Sequence, residues 1–395
     1  MMRRVAVFAP SLAVPPGWES NISGHIQIPL TAARLLMEAG HDVELISTRA
    51  RNDYVLPTMA PGDVPVRFVA DTRRRGEIGD RPVRYRANPL AMTRQARDIL
   101  RTVRARKFDC MHGFGYEGSA LWLGALGRLV RGKTPVVFSL LGPLSSSGWR
   151  TLGYSGIDRF TAPTAHVASS VGTRLGQVSV VRHGVVRDLV AEEHSTRNLT
   201  RRRVLFWREA TQSNGGDLCR DAFRLLARAY PDLIFSFALR VSRDEVPGLE
   251  DLERSFDNVE IFRFPYQRGP DLSQLMAESL CIVLPFRRQS IHPQLSVLES
   301  MRAGVPVVAL NVGDMGEVIT DGTNGVLVQE RSPVALASGI ERIIAKPKLA
   351  TSMGMAAGDA VDADWMWAGF TDALNDVYSQ IPQRSDSKAR SRGTS

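Results

Sequence analysis

Two stretches of this 395-residue chain open in the same way, and that duplication constrains the fold more than any other feature. Near the start, the apolar run Val5–Ala9 leads into a Pro- and Gly-rich loop that ends at Gly24. Ile28, Ala32, Leu35, Leu36 and Ala39 then share one helical face, Gly40 ends the helix as a left-handed cap would, and Val43–Ser47 is the next apolar run. The second half repeats the series. Val204–Phe206 is followed by a loop with Asn214, Gly215 and Gly216, then by a helix with Leu218, Ala222, Leu225, Leu226 and Ala229 on one face, then by Leu233–Ala238. Strands that alternate with helices belong to parallel α/β sheets, since a parallel return needs a crossover helix. Two such openings predict two Rossmann-like domains.

The polar stretch Glu192–Arg203 lacks a core pattern and is expected to be the linker, with domains over residues 1–192 and 200–362. Residues 381–395 are polar and are expected to be a disordered tail. A hydrophobic content of 44% is that of a globular chain. No apolar run reaches the roughly 18 residues a membrane span needs. The first run is too short for a secretory signal and reads as a buried strand. Cys110, Cys219 and Cys281 are widely spaced and show no metal-ligand pattern, so they read as reduced, buried thiols of a cytoplasmic protein.

Charge is concentrated rather than spread. Between Asp71 and Lys107 twelve basic residues stand against four acidic ones, leaving +8 of the net +9 in that one segment. Arg94, Arg97, Arg101 and Arg104 share one face of a helix there, and Met92, Ala96, Ile99 and Val103 share another. The apolar face lacks the Trp, Phe and Leu of a deeply inserting helix, so it is expected to pack on a sheet. The basic face offers weak peripheral contact with an anionic inner-membrane surface. Nucleic acid is disfavoured as a partner, because no aromatic residues interleave with the basic ones.

The stretch from Leu284 to Val328 carries the chemistry. It predicts a strand ending at Pro285, a loop, a helix from about Leu295 to Ala303, a Gly304 cap and another strand. A helix that starts at the carboxyl edge of a parallel sheet presents free N–H groups and the positive end of its dipole, which bind phosphate. Gln294, Leu295 and Ser296 form that tip, and Glu299, one turn on, can reach ribose hydroxyls. His112, in Met111-His112-Gly113, is expected at the carboxyl end of a strand as a catalytic candidate; the alternative is a satisfied structural histidine. Asp362-Ala363-Asp364 has the look of a metal-binding pair but is expected to cap a helix starting at Trp365.

These pieces resemble the nucleotide-sugar site of family 4 glycosyltransferases. Leu298-Glu299-Ser300-Met301 with Gly304-Val305-Pro306-Val307-Val308 is similar to the family's LEAM…G-x-PVV, and Asn311-Val312-Gly313-Asp314 through Asp321-Gly322-Thr323-Asn324-Gly325 to its N-V-G-G…D-G-x-N-G. The resemblance implies a retaining enzyme of the GT-B fold, with two Rossmann-like domains facing a central cleft. The nucleoside diphosphate (NDP)-sugar would be a co-substrate on the C-terminal domain, with no cofactor and no metal. The acceptor would be a sugar, an aglycone or a lipid-linked group held by Ser23, Gly24 and His25. It makes Arg208 a diphosphate ligand and residues 363–380 a helix crossing back to the N-terminal domain. Retention in the family is explained by attack on the face the leaving group departs from, so no protein nucleophile is needed. Eight positions before Glu299, where the family carries another glutamate, this chain has Ile291, with Ser290, His292 or Gln294 as substitutes for sugar contact. Asn214 falls near the place of the family's diphosphate-binding lysine, and Leu141 where it often has a histidine. These departures leave open a catalytically degenerate protein acting as a non-catalytic partner. The Rossmann pattern alone also suggests a nicotinamide-dependent dehydrogenase, against which stands the lack of a compact G-x-G-x-x-G after the first strand.

Overall fold

The computed structural model describes residues 2–9, 11–17, 19, 23–49, 53–58, 60, 62–70, 73–78, 81–87, 97–99, 101–103, 105–130, 134–145, 153–172, 178–185, 202–240, 242–264 and 271–381. The chain divides into two compact units, one made of residues 1–183 with 367–395 and the other of residues 184–366.

The first unit holds a seven-stranded sheet. Its strands are β1 (Arg4–Phe8), β2 (Asp42–Arg49), β3 (Val66–Ala70), β6 (Cys110–Gly115), β7 (Val136–Leu140), β8 (Arg159–Ala162) and β9 (Val178–Val180), in the order β3-β2-β1-β6-β7-β8-β9. Every pairing in it is parallel. The second unit holds six strands, β10 (Arg203–Trp207), β11 (Ile234–Leu239), β12 (Val259–Arg263), β13 (Ser279–Leu284), β14 (Val307–Leu310) and β15 (Gly325–Val328), in the order β12-β11-β10-β13-β14-β15. These pairings too are all parallel. Mostly apolar, fully buried runs such as Val136–Leu140 and Ser279–Leu284 follow from this arrangement, since a parallel sheet is covered on both faces. Between β3 and β6, β4 (Arg73–Ile78) and β5 (Arg81–Ala87) form a separate antiparallel pair, which the sequence pattern did not predict.

The helices follow the expected spacing with local corrections. Gly24–Glu38 is the first helix, and Gly40 closes it at φ +86. In the second unit the helix Gly216–Ala229 turns Leu218, Cys219, Ala222, Phe223, Leu226 and Ala227 inward. Leu225 and Ala229 point outward instead, so the buried stripe is rotated from the expected one. Arg203, expected in the linker, is the first residue of β10; it is buried and paired with Glu260 and with Glu278 at 3.0 Å. Residues 186–200 lie outside the described residues, as do residues 382–395, where the tail is expected. In the basic segment Ile99 and Val103 join the core of the first unit, while Arg97 and Arg101 are exposed; Met92, Arg94, Ala96 and Arg104 lie outside the described residues. All three cysteines are free and buried.

His112 stands in the middle of β6 and is fully buried. Its Nδ1 lies 2.6 Å from the Tyr378 hydroxyl and its Nε2 2.8 Å from the Ser139 hydroxyl, which lies 2.6 Å from that of Thr161. Phe114 stacks on the ring at 4.4 Å. With both nitrogens engaged, the histidine expected to be catalytic has a packing role here: it seats the helix Phe370–Ser379 on the sheet. His41 does the same from the end of the first helix, its Nε2 lying 2.9 Å from Asn375 Oδ1. Burial pushes the His112 pKa down to about 3.

Two expectations follow for the first unit. The helix Glu117–Val130 approaches residues 153–156 so closely that a Cβ on Gly124 would lie 2.2 Å from the Gly153 carbonyl oxygen, and one on Gly127 2.2 Å from that of Gly156. Gly124→Ala should therefore cost about 1–3 kcal/mol, read as a lowered midpoint in urea unfolding. An unshifted midpoint would mean that the contact yields freely. An ordinary histidine titrates near 6.5 and His112 near 3, so between those values the unfolded chain holds one more proton and stability drops as the pH falls. The slope from this group is about 1.4 kcal/mol per pH unit, and His112→Gln should remove it from unfolding curves taken at pH 7, 6 and 5.

Candidate functional site

In the second sheet the strand order reverses between β10 and β13, which lie side by side. The chain leaves their carboxyl ends in opposite directions, and in open α/β sheets a crevice forms at that switch point. Arg208 follows β10 directly; its side chain is 16% exposed and its Nε lies 3.5 Å from Glu209 Oε2. The loop beyond is self-tied. Asn214 donates its side-chain amide to the Glu209 carbonyl at 2.8 Å, and its backbone N–H donates to Thr211 Oγ1 at 3.2 Å. Gly215 has φ +75, and a Cβ there would lie 2.1 Å from the Pro285 carbonyl oxygen, so only glycine lets this loop press on the end of β13. Arg287 fastens the same loop. It takes both carboxylate oxygens of Asp217, donates to the Gln212 carbonyl at 2.8 Å, and receives the Ser213 carbonyl on its backbone N–H at 2.9 Å. Burial alone would raise the Asp217 pKa, but the hydrogen bonds and charge of Arg287 outweigh it and hold the carboxyl below its ordinary value. The Arg287–Asp217 tie was missed in the sequence, where nothing links residues so far apart.

Beyond β13 the helix Leu295–Arg302 begins as expected. Its cap residue, Gln294, makes no side-chain cap bond; its amide donates instead to Ser290 Oγ at 3.2 Å. Ser296, in the first turn, is 1% exposed and its buried hydroxyl has no hydrogen-bond partner. Trp207 Nε1 donates to Ser300 Oγ at 2.9 Å, which in turn donates to the Ser296 carbonyl at 2.7 Å, seating this helix on the end of β10. Glu299 is only 3% exposed, so it is not a solvated helix carboxylate. Ile291 and His292 are buried, and Ser290 is exposed.

The loops after β14 are mostly architectural. Asn324 Oδ1 accepts the Thr320 N–H at 2.7 Å, and Asp321 accepts the Leu327 N–H at 2.9 Å while pairing with Arg342 at 3.0 Å. The Asp321–Gly325 motif is thus a braced turn. Asp362 and Asp364 end the helix Pro347–Asp364 rather than starting another, and Asp362 pairs with Arg302 at 2.9 Å; the cap expected at Trp365 is corrected to a helix end. Among the described residues no group of three His, Cys, Asp or Glu is placed to hold a metal, and no helix is long and apolar enough to cross a membrane.

In the first unit Ser23, Gly24 and His25 stand at the start of the first helix; Ser23 holds the cap position without a side-chain cap bond, and its hydroxyl lies 2.8 Å from His25 Nδ1. Glu117, after β6, accepts the Ser145 N–H at 3.1 Å and the Tyr154 hydroxyl at 2.8 Å. Leu141, in the place of the expected histidine, is buried.

Comparison with known proteins fits this architecture. Residues 24–195 match the family described as "Glycosyl transferase 4-like domain", and residues 201–346 that described as "Glycosyl transferases group 1". The chain is 34% identical over 134 residues to the D-inositol 3-phosphate glycosyltransferase of Nocardiopsis dassonvillei, covering 33% of this chain and 30% of that protein. It thus spans about a third of the length of this curated relative. It is 24% identical over 280 residues to the GDP-mannose-dependent alpha-(1-6)-phosphatidylinositol monomannoside mannosyltransferase of Mycolicibacterium smegmatis, covering 63% and 72% of the two chains. Among solved structures, a glycosyltransferase from Rickettsia africae has a TM-score of 0.71 at 16% identity, over 96% of this chain and 98% of that one. Anabaena HepE in complex with UDP and glucose has a TM-score of 0.65 at 15% identity, over 96% and 100%. These likenesses establish the fold. With both halves matched, the chain belongs to the group 1, family 4-like glycosyltransferases of the GT-B fold.

Proposed function

We propose that this chain is a retaining glycosyltransferase that moves a sugar from an NDP-sugar to a small-molecule or glycoconjugate acceptor without a metal ion. The observation that carries this reading is the edge of the second sheet: a helix tip without a side-chain cap and with an orphaned buried hydroxyl at Ser296, one strand away from Arg208. Amide groups there, helped by the helix dipole, take a diphosphate, and the Arg208 guanidinium adds a charge-assisted contact. These groups stabilise the negative charge that grows on the diphosphate as the glycosidic bond breaks, which is the main electrostatic demand of the reaction. They do so without a metal, and the Asp362–Arg302 pairing supports that reading of the acidic pair. Glu299 accepts ribose hydroxyls from the second turn of the same helix.

Relatives support the donor class. One is named as GDP-mannose-dependent, and a structural neighbour was solved with UDP and glucose. Ser23, Gly24 and His25 are the proposed acceptor contacts, from the corresponding edge of the first sheet. An acceptor on an anionic lipid would meet Arg97 and Arg101, both exposed.

In calorimetric titration with UDP and GDP, Arg208→Ala and Glu299→Ala should each weaken binding of the preferred nucleotide by about tenfold or more, the scale of one lost charge-assisted hydrogen bond. Near-native affinity in both variants would reject the site. Transfer from a radiolabelled NDP-sugar to any acceptor would separate an enzyme from a degenerate partner.

A further inference from the structure

Asp314 is a buried carboxylate at the carboxyl edge of the second sheet that the proposed chemistry does not use. Its side chain has no exposed surface. One oxygen accepts the Gln289 side-chain amide, and Gln289 Oε1 accepts the Asp314 backbone N–H at 3.3 Å. The other oxygen lies 3.2 Å from His292 Nδ1, at ion-pair distance though bent away from an ideal hydrogen bond. Gly313, at φ +58, makes the approach feasible: a Cβ there would lie 1.9 Å from Gln289 Oε1 and 3.1 Å from His292 Cε1. The turn after β14 is therefore shaped to press Asp314 against the loop Gln289–His292, which runs straight into the helix tip at Gln294–Ser296.

Charge makes this arrangement informative. A buried carboxylate disfavours any anion bound nearby, because Coulomb energies are large where water is excluded. It also demands a partner of its own.

We propose that Asp314 is a positioning residue of the donor site, an inference that rests on the reading of that site as a diphosphate cradle. Braced by Gln289, it fixes His292 and with it the loop entering the helix tip. His292 in turn masks the carboxylate from the diphosphate. The two residues act as one unit, so losing the imidazole alone does more harm than losing both.

A double-mutant cycle tests this, with UDP and GDP as calorimetric probes and the melting temperature of each variant as a check on folding. Asp314→Asn keeps the shape and should weaken nucleotide binding by about threefold to tenfold. His292→Ala leaves the Asp314 oxygen that faces the imidazole without that neighbour and should weaken binding by tenfold or more. The double variant should bind better than His292→Ala, a rescue of nucleotide affinity that a purely structural role would not produce. Gln289→Ala, at a half-buried loop position, should weaken binding by a smaller factor with a small drop in melting temperature, and serves if the Asp314 variant misfolds. Losses that multiply in the double variant, or affinities within twofold of the native chain in all variants, would overturn the proposal. If the native chain binds neither nucleotide, the donor-site reading falls and this inference with it; native binding with multiplying losses removes the inference alone.

Discussion

The parallel pairing of β10 with β13 is the constraint from which the site descends. Each strand hands the chain to a loop and then a helix, and the two connections leave in opposite directions. That divergence sets Arg208 and the tip of Leu295–Arg302 on adjacent strand ends. Close packing then holds them: Gly215 lets one loop rest on Pro285, Trp207 grips Ser300, and Arg287 fastens both loops through Asp217. These contacts lie within the protein's own loops and helix, so the proposed diphosphate site would need little reorganisation during a reaction.

The first unit has the same sheet logic but a different use of polar groups. His112, His41, Ser139, Thr161, Asn375 and Tyr378 spend their hydrogen bonds on each other and on the docking of the helix Phe370–Ser379. A buried polar network of this kind specifies one packing arrangement, because any other leaves its members unsatisfied. In the proposed reading the acceptor contacts come from the start of the first helix, at Ser23 and His25, rather than from the strands.

Much of this was readable from residue order. Apolar runs marked the sheets, since a parallel strand covered on both faces shows no alternation. The Leu295 helix, its Gly304 end and the following strand were also legible, because cap, periodicity and turn signals agreed. Errors arose where local pattern was ambiguous. In Gly216–Ala229 two overlapping apolar stripes compete, and tertiary packing chose the one with Cys219 and Phe223 over Leu225 and Ala229. Arg203 read as linker because charge masks a strand residue whose partners, Glu260 and Glu278, lie far along the chain. Asp362 read as a helix start because nothing nearby announces Arg302 as its partner. His112 read as chemistry because its hydrogen-bond partners come from distant strands and a helix. The Gln289–Asp314–His292 clamp was not legible at all, since its residues acquire meaning only when two loops are folded together.

The central claim is that the amide groups at Leu295 and Ser296, with Arg208, receive the diphosphate of a bound nucleotide. A crystal structure of the chain soaked with UDP or GDP tests it most directly. The account requires phosphate oxygens within hydrogen-bond distance of the helix tip and the Arg208 guanidinium, with the ribose against Glu299. A nucleotide bound elsewhere, with that helix tip still vacant, would contradict it.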